Sequence, residues 1–292
     1  MIKKIIIGCA NIGNNYGLKK KKILYPVAYN ILKTANTKNI FHFDTAQDYK
    51  QSEKILGKII KNLKNKKKIL VDTKLAKKIT SYDFESIKSL IIQSIRKLKI
   101  SRINTLYIHN TDQLKGARGK ILFSALQKIK KSRLINKIGI SVYSVYEIKS
   151  LLKKYKVDVV QAPINVLDNR FIETDLIKIL KKKKIKLVAR SIFLKGFLLK
   201  NPRKLPNQFL KYRKLLKSFI AFSKQHNQSR TFICLKFVLK HKFVDKVILG
   251  ISSSRQLKSL IKSLNKKQKL KKFIIPQVVD KHLLDPRSWK NK

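Results

Sequence analysis

The sequence predicts a single-domain α/β protein of the closed (β/α)8 class, the TIM barrel, and three observations carry that prediction. Short apolar runs rich in β-branched residues alternate with longer amphipathic stretches, the pattern of a parallel sheet covered by helices. There are eight such runs, and 292 residues is an ordinary length for eight βα units in one domain, 1–292. No GxGxxG follows the first run, so the fingerprint of a doubly wound open sheet, the competing architecture, is missing.

Taken in order, the first strand is expected at KIIIGCA, Lys4 to Ala10, and the second at IFHFDT, Ile40 to Thr45. A loop then leads into SEKILGKIIKNLK, whose apolar residues return every three or four positions, as on one face of a helix. The third strand is ILVDTK, Ile69 to Lys74, and the amphipathic helix FESIKSLIIQSIRKL follows it. The remaining strands are TLYIHN (Thr105 to Asn110), KIGISV (Lys137 to Val142), VDVVQA (Val157 to Ala162), KLVARS (Lys186 to Ser191) and KVILG (Lys246 to Gly250). Asn201 to Gln208, with Pro202 and Pro206, reads as a long loop after strand seven: a cover for a bound ligand or a solvated connector. The tail IIPQVVDKHLLDPRSWKNK holds the only Trp, Trp289, and either packs against the barrel or reaches the substrate pocket.

The formal charge is +55, from 70 basic and 15 acidic residues. Only 11 of the 70 are Arg, and the Lys are spread through almost every segment. A dedicated nucleic-acid surface concentrates Arg and aromatics in a recognisable module, so the excess reads as Lys filling solvated positions. Salt-sensitive, nonspecific polyanion binding is expected and specific nucleic-acid binding is not. Cys9 and Cys234 lie far apart and suggest neither a disulfide framework nor a metal site. The amino-terminal apolar run is too short for a signal peptide and no run approaches a membrane span, so a soluble, cytoplasmic protein with no membrane partner is expected.

In a βα barrel, polar residues at the C-terminal ends of different strands converge on one site. Asp44, Lys74, His109, Ser141, Gln161, Arg190 and Ser191 all fall there, and Tyr49 follows Asp44 in the loop DTAQDYKQSEKILG. A free phenol has a pKa of about 10. A neighbouring ammonium lowers it, and a carboxylate on that ammonium keeps it charged and oriented. If Asp44, Tyr49, Lys74 and His109 meet, Tyr49 becomes a general acid or base near neutrality, with His109 hydrogen-bonding a carbonyl oxygen. No side chain supplies a hydride, so a nicotinamide cofactor is required.

DTAQDYKQSEKILG resembles the signature of the aldo-keto reductase family, and the lysine of VDTKL and the histidine of LYIHN fall where that family's other catalytic residues lie. The resemblance covers almost the whole chain. It implies a (β/α)8 barrel binding NADPH or NADH, and the catalytic set Asp44, Tyr49, Lys74 and His109. GISVYS and QAPINVLDNR resemble the segments that hold the nicotinamide amide, which implies Ser141 and Gln161. RSIFLKGFLL resembles the segment lining nicotinamide and pyrophosphate, which implies Arg190, Ser191 and Phe193. ILGISSSRQL resembles the adenosine-phosphate segment, where a Ser-rich turn opens a helix, implying Gly250, Ser252 and Arg255.

Several residues depart from the family pattern. Lys50 stands where a glycine usually follows the tyrosine, Val142 replaces a common Asn, and Arg190 replaces an aromatic ring. Gly250 and Gln256 occupy the places of the usual basic pair for the 2′-phosphate. NADP(H) is favoured and NAD(H) is the competing choice. NVLDNR, RSIFLKGFLL and LLDPRSW resemble a bacterial subset linked to sugar or surface-polysaccharide metabolism. The expected function is NAD(P)H-dependent reduction of an aldehyde or ketone, possible substrates including sugars. The alternative is a noncatalytic NADP(H)-binding regulatory or partner protein. Oligomeric state is not legible in the sequence.

Overall fold

The structure, a computed structural model, describes residues 1–18, 22–172, 174–265 and 280–289. Eight parallel strands close into a barrel: β1 Ile5–Gly8, β2 His42–Asp44, β3 Leu70–Leu75, β4 Ile103–Ile108, β5 Ile135–Ser141, β6 Val159–Pro163, β7 Lys186–Arg190 and β8 Lys246–Gly250. Closure comes from β1 pairing with β8, Ile5 opposite Val247 through Gly8 opposite Gly250. Around it run α1 Tyr25–Thr37, α2 Ser52–Lys61, α3 Phe84–Leu98, α4 Gly116–Lys131, α5 Val145–Lys154, α6 Thr174–Lys182, α7 Arg213–Gln225, α8 Arg230–Leu239 and α9 Ser254–Asn265. Among the described residues no helix is long and apolar enough to cross a membrane.

Alternation along each strand sorts side chains into two sets. Phe43, Val71, Leu75, Leu106 and Ile108 belong to the large core beneath the helices, whereas Ile6, Tyr107, Val159 and Val188 form a separate cluster within the barrel, with Ile248 packed against it. Gly139, opposite Tyr107 in the β4–β5 register, makes the ring's seat: a Cβ there would lie 2.4 and 2.6 Å from the Tyr107 ring. Polar side chains are also buried in the barrel. His42 Nε2 meets Asp72 Oδ2 at 2.8 Å, and Asn104 Nδ2 donates to Asp72 Oδ1 at 2.7 Å.

Helix α2, which follows the Asp44 loop, crosses the end of α3 at Gly57. A Cβ on Gly57 would stand 2.0 Å from the Lys97 carbonyl oxygen and 2.8 Å from the Leu98 carbonyl carbon, and backbone cannot swing aside. Gly57→Ala is therefore expected to destabilise by at least the ~1–3 kcal/mol of an overpacked core. A thermal melt indistinguishable from the native one would refute this close approach.

The expected strands are all present, with shifted ends: β4 and β5 each begin two residues before the apolar run that marked them, and β3 runs on through Leu75. The stretch around Asn201 to Gln208 contains two 3-10 turns, Pro202–Lys204 and Asn207–Tyr212. Trp289 packs on Phe209 from this segment, ring centroids 4.7 Å apart, and its indole N–H donates to the His282 carbonyl at 2.8 Å. The tail thus packs on the loop after β7. Its residues 274–279 and 290–292 lie outside the described residues.

Candidate active site

The loop between β2 and α2 is tied down on several sides. Thr45 Oγ1 donates to Ser52 Oγ, which donates to the Cys9 carbonyl, both at 2.9 Å. Gln47 Nε2 donates to the Leu90 carbonyl at 3.1 Å and to Ser94 Oγ at 3.0 Å, while its Oε1 accepts from the Ala76 N–H at 2.8 Å. Glu53, buried beneath, accepts from Thr73 Oγ1 at 2.7 Å. These ties carry Tyr49 into the cavity at the C-terminal ends of the strands. Lys50 adopts φ 44°, the left-handed region, so its side chain strains the backbone. Lys50→Gly is expected to stabilise by about 0.5–1 kcal/mol, relief of that strain exceeding the added freedom of the unfolded glycine. A melt at or below the native midpoint would count against it.

Lys74 and Asp44 form a buried ion pair. The ammonium donates to Asp44 Oδ2 at 2.6 Å, Asp44 Oδ1 at 2.7 Å and the Thr45 carbonyl at 2.8 Å. Gln161 Nε2 adds a hydrogen bond to Asp44 Oδ1 at 3.0 Å. Burial pushes the Asp44 carboxyl upward, and the charge and hydrogen bond of Lys74 pull it back. Lys74 Nζ lies 5.4 Å from the Tyr49 ring centroid.

The sequence expectation that Lys74 lowers the Tyr49 pKa is not met. Burial first, and then the Asp44 carboxylate, push the phenol well above its ordinary value, with Arg190 opposing. Asp44 lies against the ammonium and takes up its charge, so Tyr49 is a neutral phenol that can give a proton rather than a phenolate.

His109 stands edge-on to Tyr49, centroids 6.1 Å apart and planes at 88°. Its Nδ1 is 3.2 Å from Asp48 Oδ2, which also accepts from the Lys77 N–H at 3.0 Å. Burial, helped by Lys74 and Lys77, lowers the imidazole to about 4 against the pull of Asp48, so it is neutral at neutral pH. Burial raises Asp48, yet its hydrogen bonds to His109 and Lys77 leave it below the usual carboxylate range.

A cavity of about 420 Å³ joins these groups. Asp44, Tyr49, Lys74 and His109 line it, as do Ser141, Gln161, Arg190, Ser191, Phe193, Gly250 and Ser252. Arg255 is exposed on α9 and does not border the cavity. Arg190 lies over the Tyr143 ring at 4.0 Å and donates to the Val142 carbonyl at 2.9 Å. The Ser252 N–H and hydroxyl both donate to Gln256 Oε1, at 2.9 and 3.0 Å. Two buried atoms of cavity residues, Gln161 Oε1 and Arg190 Nε, have no hydrogen-bond partner among the described residues. No group of three or more His, Cys, Asp or Glu there is placed to hold a metal.

Several site residues were not singled out from the sequence. Tyr16, whose ring is 6.5 Å from that of Tyr49, comes from the loop after β1. Lys195 follows β7, and its carbonyl accepts from the Leu18 N–H at 3.2 Å, so the two loops meet beside the cavity they line. Asp48 carried no signal beyond being an acid next to Tyr49.

Fold and cavity together define the class: a (β/α)8 barrel with a polar cavity at the C-terminal ends of its strands. Within that class the chain belongs to the aldo/keto reductase family, whose model matches residues 4–277. It is similar to L-galactose dehydrogenase of Arabidopsis thaliana, 25% identical over 240 residues that cover 78% of this chain and 75% of the relative. Among solved structures, an aldo-keto reductase of Bacillus halodurans in its holo form matches with a TM-score of 0.73 and 22% identity, covering 90% of this chain and 87% of that one. A thermostable aldo-keto reductase in complex with the inhibitor epalrestat matches with a TM-score of 0.67 and 20% identity, covering 91% of each chain. The family comprises oxidoreductases that use nicotinamide cofactors on small carbonyl compounds.

Proposed function

We propose that this chain is an NAD(P)H-dependent carbonyl reductase in which Tyr49 is the proton donor, Lys74 and Asp44 set its surroundings, and His109 shapes the pocket beside it. The observation that carries the reading is the neutral Tyr49 phenol in the cavity, beside the buried Lys74–Asp44 pair. A neutral phenol is the form a general acid needs before the reaction.

The residues present fit a nicotinamide. Its carboxamide both donates and accepts, and the cavity offers it the Ser141 hydroxyl, the unpartnered Gln161 Oε1 and the unpartnered Arg190 Nε. Ser191 and Phe193 line the same cavity, and Ser252 lines it too and would face the adenosine side. When bound, the cofactor supplies two electrons and a hydrogen nucleus to the carbonyl carbon. The Tyr49 hydroxyl donates to the carbonyl oxygen and passes it the proton as negative charge develops there. Lys74 steadies the phenolate left behind, and Asp44, with Gln161, holds Lys74. NADP(H) is our first choice, since Ser252 at the opening of α9 offers a hydroxyl at the cavity; NAD(H) is the competing cofactor. The cytoplasm, where Cys9 and Cys234 remain free thiols, is the compartment this reading assigns.

The likeness to a sugar dehydrogenase makes sugar aldehydes and ketones the first substrates to try. Titration with NADPH and NADH, followed by cofactor fluorescence, and turnover followed by cofactor absorbance test the reading. Failure to bind either cofactor would overturn it.

A further inference from the structure

The two ends of the barrel differ in charge. Helices α2, α3, α5 and α6 carry their acids in the first turn, at the cavity end, as Glu53, Glu85, Glu147 and Asp175, while Lys or Arg occupy the last turns. The helix dipole rewards that sorting. It does not account for the segments leading into the eight strands, each of which brings at least one Lys or Arg to the end opposite the cavity. The acids in those segments, Asp158 and Asp245, are held by Lys130 and Lys186 at 2.6 and 3.1 Å. Lys99, Arg133 and Lys184 are exposed there with φ of 53°, 61° and 55°, the left-handed region that a glycine or asparagine usually fills just past a helix. Each keeps a cation on this face at a cost in backbone strain. Within the rim, Lys137, Lys186 and Lys246 come two residues before Gly139, Val188 and Ile248, on the inner side of the barrel. Burial first, and Lys137 in addition, lower the Lys246 ammonium against the pull of Asp72 and Asp245.

An apolar point stands among these cations. Leu70 is 40% exposed at the start of β3, its N–H donating to the Phe41 carbonyl at 2.8 Å, and Lys68 Nζ lies 5.8 Å from the Phe41 ring. Cations around an exposed aliphatic side chain suit a lipid surface, where the charges meet anionic headgroups and the side chain enters the acyl boundary. Nucleic acid is favoured by Arg forks and free aromatic faces, and the cations of this rim are mostly Lys. We propose that the end of the barrel opposite the cavity docks on an anionic lipid surface, with its loop lysines at the headgroups and Leu70 beneath them, leaving the cavity open to solvent. Such peripheral contact needs no membrane-spanning helix. Reading Lys along the chain hides this face, because segments remote in sequence share one end only in the folded barrel.

The test is flotation of the full chain with vesicles of phosphatidylcholine alone and of phosphatidylcholine with phosphatidylglycerol, at physiological salt. The native protein is expected to float with the anionic vesicles and not with the neutral ones. Lys64, Lys66 and Lys67, all exposed before β3, are changed together to Gln, and partitioning should fall by on the order of a hundredfold, about fivefold for each lysine. A control set with the same loss of charge, Lys120, Lys214 and Lys217 to Gln, lies exposed in the cavity-side halves of α4 and α7 and should change partitioning by no more than a few-fold. Leu70→Thr should weaken it by several-fold with every charge retained. Equal losses from the two lysine sets would show that net charge alone drives binding, and would overturn the proposal. Unchanged partitioning of Leu70→Thr, or tighter binding to an unstructured RNA than to the anionic vesicles at the same salt, would overturn it as well.

Discussion

Tyr49→Phe is expected to lower kcat by about 10²–10⁴-fold, the usual contribution of a positioned general acid, while cofactor affinity stays near native. The ring is kept, so its edge-on packing with His109 and its contact with Tyr16 survive. Only the hydroxyl is lost, and the residues that fit the cofactor, Ser141, Gln161 and Arg190, are untouched. Stopped-flow turnover and a fluorescence titration of the same variant separate the two effects. Full turnover would eliminate Tyr49 as the donor, and lost cofactor binding would mean that the phenol does something else.

The second large effect concerns the buried pair. Lys74→Met leaves the Asp44 carboxylate buried with only Gln161 for support, and removing one member of such a pair costs roughly 3–5 kcal/mol. Chemical denaturation should show that loss, and turnover should fall with it. Lys74→Met combined with Asp44→Asn removes both charges and lets Gln161 donate to the Asn carbonyl, so stability should return toward native. Activity should not return, because no ammonium then stands near Tyr49 to accommodate its phenolate. If both variants were equally unstable, the charge imbalance would not be the cause.

Much of this site was legible in the order of residues, and the reasons are local. Asp44, Lys74, His109, Ser141, Gln161 and Arg190 were placed by one rule, polar residues at the ends of β-branched runs, and all of them border one cavity. Arg255 was chosen by its neighbourhood in the chain, but a helix turns neighbours about 100° apart, and Gln256 rather than Arg255 borders the cavity. The sense of the Tyr49 shift was misread, since nearness to Lys74 says nothing of burial or of how closely Asp44 holds that charge.

The alternation of apolar runs with amphipathic stretches by itself determined the eight-stranded barrel, because the periods of strands and helices are written in neighbouring residues. It determined as well which residue types arrive at the mouth, since strand ends are local features. Tertiary structure decided which of those residues touch. Asp48 and His109 lie 61 positions apart, and only the tertiary structure brings them to 3.2 Å beside Tyr49. Hydrogen-bond partners and loss of water depend on distances between segments remote in the chain, and no local pattern encodes them.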